Sequence, residues 1–136
     1  MTGVQTCALP IFTGDGRTII ENTSNVTWRD NIVIAAPGVP VVREIYRSGT
    51  TNGTVYSNNL FFGSNIWQYR SNNNPWDNPT NYNSVAAWTT ARGGSVSNSQ
   101  TGNPTLDAQY RPRAGSAAIN RASDGKNIGA AETVVA

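Results

Sequence analysis

Laid on itself with an offset of 28 residues, the chain repeats one phrase. Residues 26–34 (VTWRDNIVI) align with residues 54–62 (TVYSNNLFF): Trp28 meets Tyr56, Asn31 meets Asn59, and three apolar residues follow in both. A weaker copy precedes them, where Ile19 and Ile20 run into Glu21 and Asn22. Self-similarity at a fixed period marks a stacked architecture, because each copy carries an apolar face that only a neighbour can cover. The competing reading is two unrelated strands of a sandwich that share a turn type.

Each copy reads as strand, polar corner, strand. Stacking one coil on the next at about 4.8 Å pairs their backbones and brings equivalent side chains over one another. Asn31 and Asn59 then form a structural ladder at an inward corner, where their amides bond each other and nearby backbone groups. Asn also tolerates the left-handed conformation that tight corners need. Alternation puts either Ile32 and Ile34 or Val33 inward, and likewise either Leu60 and Phe62 or Phe61; the pattern leaves this open.

Elsewhere the apolar residues also come in short bursts, at 18–20, 39–42 and 44–46, bounded by Asn, Asp, Gly, Ser or Pro. That is strand chemistry with turn punctuation. The stretch 37–53 holds a third strand and a loop, and three short strands per coil suit a triangular stack. No window before residue 113 has the i, i+3, i+4, i+7 spacing of a long amphipathic helix. Residues 114–122 read either as irregular tail or, on Ala content, as a short helix that Gly115 and Ser116 interrupt.

Composition narrows the function. Gly, Asn, Ser and Thr supply 56 of 136 residues, and only 13% are charged, against about 25% in a typical soluble protein. A helical bundle is excluded on those grounds, and disorder by a hydrophobic share of 38% with a net charge of +2. Ten cations against eight anions are too small an excess to imply a nucleic-acid partner. No apolar run approaches a membrane span, so no membrane partner is expected. With no histidine, neither a Ser-His or Cys-His dyad nor an imidazole-ligated metal can be assembled.

Residues 1–11 (MTGVQTCALPI) hold the only Cys and the only Met. They lack the basic start and the uninterrupted apolar run of a signal peptide. The segment resembles a translated sequencing-library adapter read from a GTG start, which would make it an artefact and leave Cys7 without redox or metal meaning. On that reading coding sequence begins near Phe12, inside a longer gene. The expected organisation is the artefact at 1–11, parallel coils over 12–92 with an aromatic and Asn-rich loop at 64–92, and a C-terminal tail at 93–136 packed on the last coils.

The two repeat phrases and the tail resemble the right-handed parallel β-helix proteins of the pectate-lyase-like group. In the tail, residues 103–106 (NPTL) resemble the group's DP-x-F phrase. Residues 110–120 (YRPRAGSAAIN) resemble its Y-R-L-x-P-G-S-P-A-I phrase, and residues 127–132 (NIGAAE) its closing D-I-G-A-x-E. The resemblance covers about residues 18–132 and departs from the group at Asn103, Ala114, Ala117 and Asn127. It implies an all-β fold, a right-handed parallel β-helix truncated at its N-terminal end with a loop-rich tail.

It further implies a secreted or cell-surface protein that acts on polysaccharide, as a lyase or glycoside hydrolase. The alternative within the group is a non-catalytic surface, adhesin or tailspike-like protein, and fold does not choose between them. The group's lyases carry their base and calcium-binding carboxylates on central coils. Those coils would lie upstream of Phe12, so the fragment itself is expected to be inactive, with no cofactor of its own and calcium only in the missing part. Its exposed first coil would offer unpaired backbone groups for self-association.

No catalytic residue can be named. The acids are Asp15, Glu21, Asp30, Glu44, Asp77, Asp107, Asp124 and Glu132, and no spacing ties two of them into the pair a glycosidase needs. Nor is there a D-x-D-x-D cluster for calcium, and no metal site is expected. The residues that stand out are aromatic. Trp67, Tyr69, Trp76, Tyr82 and Trp88 crowd into one stretch with six Asn. Aromatic faces beside amides form a carbohydrate-contact chemistry, to which Arg70, Arg92 and Asp77 could add polar contacts. The alternative is that the rings pack as a lid on the end coil.

Overall fold

A computed structural model of the chain describes residues 11–12, 18–21, 25–45, 53–70, 79–129 and 134–136. The strands, in chain order, are β1 (Ile11–Phe12), β2 (Thr18–Glu21), β3 (Thr27–Arg29), β4 (Ile32–Ile34), β5 (Val42–Ile45), β6 (Val55–Ser57), β7 (Leu60–Phe62), β8 (Trp67–Arg70) and β9 (Thr80–Tyr82). A single-anchor helix, α1 (Val85–Ala91), comes next, and β10 (Val96–Ser97) and β11 (Gln100–Thr101) follow it.

The strands make three short sheets, in the orders β1-β4-β7-β11, β10-β6-β3 and β2-β5-β8-β9. Residues 26–34 and 54–62 pair in parallel at the offset of their repeat, Trp28 opposite Tyr56 and Val33 opposite Phe61. The expected all-β, right-handed parallel β-helix is nonetheless corrected. What forms is a small set of mostly parallel sheets, one of them mixed, that do not close into a regular solenoid.

The physical reason lies after β8. There the chain turns back, and β9 runs antiparallel to β8 with Trp67 opposite Tyr82. Helix α1 follows, so the next parallel partners, Tyr56 with Val96 and Leu60 with Gln100, stand 40 residues apart instead of 28. At the other end Ile11 pairs with Ile32, an offset of 21. A fixed period is what a regular solenoid requires, and among the described residues these parallel pairs recur at 21, 28 and 40. Ile11, the last residue of the adapter-like segment, thus lies inside a paired strand; residues 1–10 fall outside the described residues.

Helix α1 also corrects the expectation of no helix before residue 113. Ser84 caps it, accepting from the Ala87 N–H at 3.1 Å, and Thr89 and Thr90 bond back to the carbonyls of Val85 and Ala86. Only Trp88 of its seven residues is buried, which is why no apolar periodicity announces it. Residues 114–122 form turns and not a helix.

Both faces of the apolar triplets are covered. Val33 and Phe61 point into a core with Val41, Val42, Tyr56, Trp67, Trp88 and Val96. Ile32 and Leu60 point the other way, into a second cluster with Ala118 and Ile128 from the tail. A strand buried on both faces reads as continuous apolar residues, not as an alternation, and this is why the pattern left the inward face open.

The tail crosses one row of corners. Gln100 Nε2 donates to the Ala117 carbonyl, Asn58 Nδ2 to the Arg121 carbonyl at 3.1 Å, and Asp30 accepts from Ser123 N and Oγ at 2.6 Å each. Asp30, Asn58 and Asn98 hold equivalent corner positions with φ of 59°, 53° and 49°. After the second corner Gly63 adopts φ of 90°, and a Cβ there would meet the Ala35 carbonyl oxygen at 2.0 Å. The close approach of two chains requires glycine at that point.

Candidate functional site

The sequence-predicted aromatic contacts do not gather on the surface. Trp67, on the inward side of β8, and Trp88, on the inward side of α1, are fully buried. Their rings stack at 6.2 Å with an interplanar angle of 23°. Phe61 meets both edge-on, at 5.8 and 5.9 Å, and Tyr56 lies edge-on to Trp88 at 4.8 Å. Such geometry suits ring quadrupoles in a core. It leaves neither indole face free for a sugar, which corrects the assignment of these two Trp as carbohydrate contacts.

The remaining candidates divide. Tyr69 and Tyr82 are half-buried, and Arg70 is buried at the end of β8. Trp76 and Asp77 lie outside the described residues. Tyr69 packs beneath Arg92, whose guanidinium carbon stands 4.9 Å from its ring centroid and 5.1 Å from that of Tyr56.

Arg92 itself is committed inside the molecule. Placed at the C-cap of α1, it donates from Nη1 to Glu44 Oε1 at 2.9 Å and from Nη2 to the Thr54 carbonyl. Tyr56 Oη donates to Glu44 Oε2 at 3.1 Å. With side-chain exposures of 1% and 0%, the pair can meet no dissolved substrate. Its oxygens and N–H groups need these partners because burying an unpaired charge is far more costly than burying a paired one.

The carboxylates of Asp30, Asp107 and Asp124 are also engaged. Asp30 holds Ser123, and Asp124 Oδ1 accepts from the Lys126 N–H at 3.0 Å. Asp107 accepts from the Arg111 and Gln109 N–H groups, both at 2.9 Å, and pairs with the Arg111 guanidinium. The Arg111 N–H is the largest cause holding this carboxyl below its ordinary value of 3.8, since hydrogen bonds to the charged form favour it. Among the described residues no group of His, Cys, Asp and Glu side chains could hold a metal.

Asn31 and Asn59 stand over one another. Asn59 Oδ1 accepts from both the backbone N–H and the Nδ2 of Asn31, each at 3.1 Å. Asn59 Nδ2 donates to the Trp28 carbonyl at 2.9 Å and to Ser99 Oγ at 3.5 Å. All four bonding positions of a buried amide are used. Ser99 therefore occupies the third rung, and residues 96–100 (VSNSQ) are a third copy of the corner set against 56–60 (YSNNL). The offset search missed it because the offset is 40, and because Ser99 and Gln100 replace Asn and Leu.

That third corner borders a cleft of about 390 Å³, lined by Asn58, Asn98, Ser99, Gln100, Asn120, Arg121 and Ala122. One wall is the corner row and the other is the tail. Asn120, like Asn58 and Asn98, is left-handed, with φ of 55°, and its N–H is held by Asn127 Oδ1 at 3.1 Å. The volume falls within the roughly 300–1,000 Å³ of small-molecule sites. Among the described residues its lining is polar, with four amides, a hydroxyl and a guanidinium, and holds no carboxylate. It can offer donors and acceptors to a hydroxylated ligand. Comparison with protein-family models, curated proteins and solved structures finds no match to this chain.

Proposed function

We propose that this chain binds polysaccharide, as part of an extracellular carbohydrate-active protein, and performs no chemistry itself. The observation that carries the reading is the amide-lined cleft beside Asn98 and Asn120. Saccharide hydroxyls need donors and acceptors in alternation, and amide side chains offer both from one plane. Asn58, Asn98 and Asn120 are held at left-handed backbone positions, so little ordering is needed on binding, which favours affinity. The engagement of Asp30, Glu44, Asp107 and Asp124 with backbone or side-chain donors supports the non-catalytic half of the proposal.

Titration of the full chain with neutral and acidic oligosaccharides, followed by amide NMR shifts, tests it. Shifts centred on Asn98, Asn120 and Arg121 with millimolar affinity are expected, and Asn98→Ala should weaken binding several-fold. Flat spectra with every oligosaccharide would remove the binding half. Reducing ends or unsaturated products released by the purified chain would remove the other.

A further inference from the structure

We propose that the third-corner cleft is an oxyanion subsite: it takes a hydroxylated ligand carrying one carboxylate, sulfate or phosphate group, with Arg121 as its counter-ion. The inference rests on the saccharide reading above and adds to it a charge preference. Arg121 is fixed at its backbone, where its carbonyl accepts from Asn58 Nδ2 at 3.1 Å. Its neighbour Asn120 is fixed likewise by Asn127. Yet the exposed Arg121 guanidinium makes no hydrogen bond or ion pair with any described residue, and none of the described residues lining the cleft is a carboxylate. A guanidinium fork binds a planar or tetrahedral oxyanion through two parallel N–H groups.

The molecule already holds a carboxylate against the tail two corners away, there with an N–H and a hydroxyl as the donors. At the first corner the carboxylate of Asp30 sits against the tail, taking one bond from Ser123 N and one from Ser123 Oγ. At the second, the uncharged Asn58 takes the Arg121 carbonyl instead. At the third, the equivalent Asn98 is exposed, and its side chain bonds no described residue. The row of corners thus places one anion against the tail at its start, and at its end Arg121 is among the residues that line an open cleft. A ligand oxyanion would complete there what Asp30 completes within the chain, while the amides of Asn98, Asn120 and Gln100 take the hydroxyls.

The test is calorimetric and NMR titration of the full chain, and of Arg121→Gln, with methyl glucoside, methyl glucuronoside, glucose 6-phosphate and inorganic phosphate. One of the charged sugars, or both, should bind about tenfold more tightly than methyl glucoside, the gain expected of one charge-assisted contact. Their relative order identifies the preferred oxyanion. Arg121→Gln should abolish that preference, so that within the variant the charged sugars bind no more tightly than methyl glucoside; the side chain is exposed, so folding should not be at issue. Equal binding of charged and neutral sugars would overturn the charge preference and leave the saccharide reading standing. Inorganic phosphate binding as tightly as glucose 6-phosphate would make this a plain anion site and overturn the proposal. Binding of none of the four would overturn the saccharide reading with it.

Discussion

Arg92 at the end of α1 reaches Glu44 in β5 across 48 residues of sequence, Nη1 to Oε1 at 2.9 Å, with both side chains out of solvent. This contact fastens the helix to the sheets. It also explains why the chain can interrupt its stacking with a reversed strand and a helix and still close its core, since Trp88 enters the core from the same helix.

Removing one partner of that pair should be severely destabilising. Glu44→Gln leaves the guanidinium buried and uncompensated, and a loss of about 3–5 kcal/mol is expected. Urea denaturation followed by Trp fluorescence would measure it. The double variant Glu44→Gln with Arg92→Met should be less harmful than the single one, because the pair then leaves no uncompensated charge behind.

Trp88→Ala separates core from ligand contact. Truncating a fully buried indole should cost about 3–5 kcal/mol. Where the variant remains folded, at low temperature, its saccharide affinity should equal that of the parent. A selective loss of affinity with unchanged stability would place Trp88 at a binding surface instead.

Asn59→Ala removes the central rung of the corner ladder. It strands the N–H and Nδ2 of Asn31 and removes one donor from the carbonyl of Trp28. Stranding buried polar groups costs about 1–3 kcal/mol each, so the effect should exceed that of Ser99→Ala at the next rung. Thermal unfolding by circular dichroism would rank the two.

Acid should loosen the tail through Asp107. Its folded value lies below the ordinary 3.8, held there first by the Arg111 N–H against the opposing effect of burial, and then by the guanidinium and the Gln109 N–H. A depressed carboxylate stabilises fully above its unfolded value and loses that contribution as pH falls through its folded value. The turn 107–111 should therefore keep the full contribution above pH 3.8 and lose it only as pH falls on through the lower folded value. Amide exchange of Arg111 as a function of pH would report this, and Asp107→Asn should remove the dependence.

Parts of this arrangement were legible from local chemistry. The offset of 28 brought Asn31 to Asn59, and their amides do bond; the strand–corner–strand phrases lie at β3–β4 and β6–β7. Such features depend on near neighbours and on matching copies, which a single chain displays. The third corner was not legible, because its copy is polar where the others are apolar and its offset is 40. The regular β-helix was expected from the same repeat and failed for the same reason: β9 and α1 break the period.

Trp67 and Trp88 show where local reading ends. Aromatic rings among Asn residues have the composition of a carbohydrate surface, and in the folded chain they are the centre of the core. The sequence by itself determined that short strands pair in parallel around polar corners, because strand propensity, turn chemistry and repeat matching act over a few residues. Only the tertiary structure decided which faces are dry. That choice was made when the tail laid Ala118 and Ile128 over Ile32 and Leu60, and when α1 carried Trp88 inward and Arg92 to Glu44. Those contacts join residues far apart in the chain, and burial is a property of the whole packing, not of any segment.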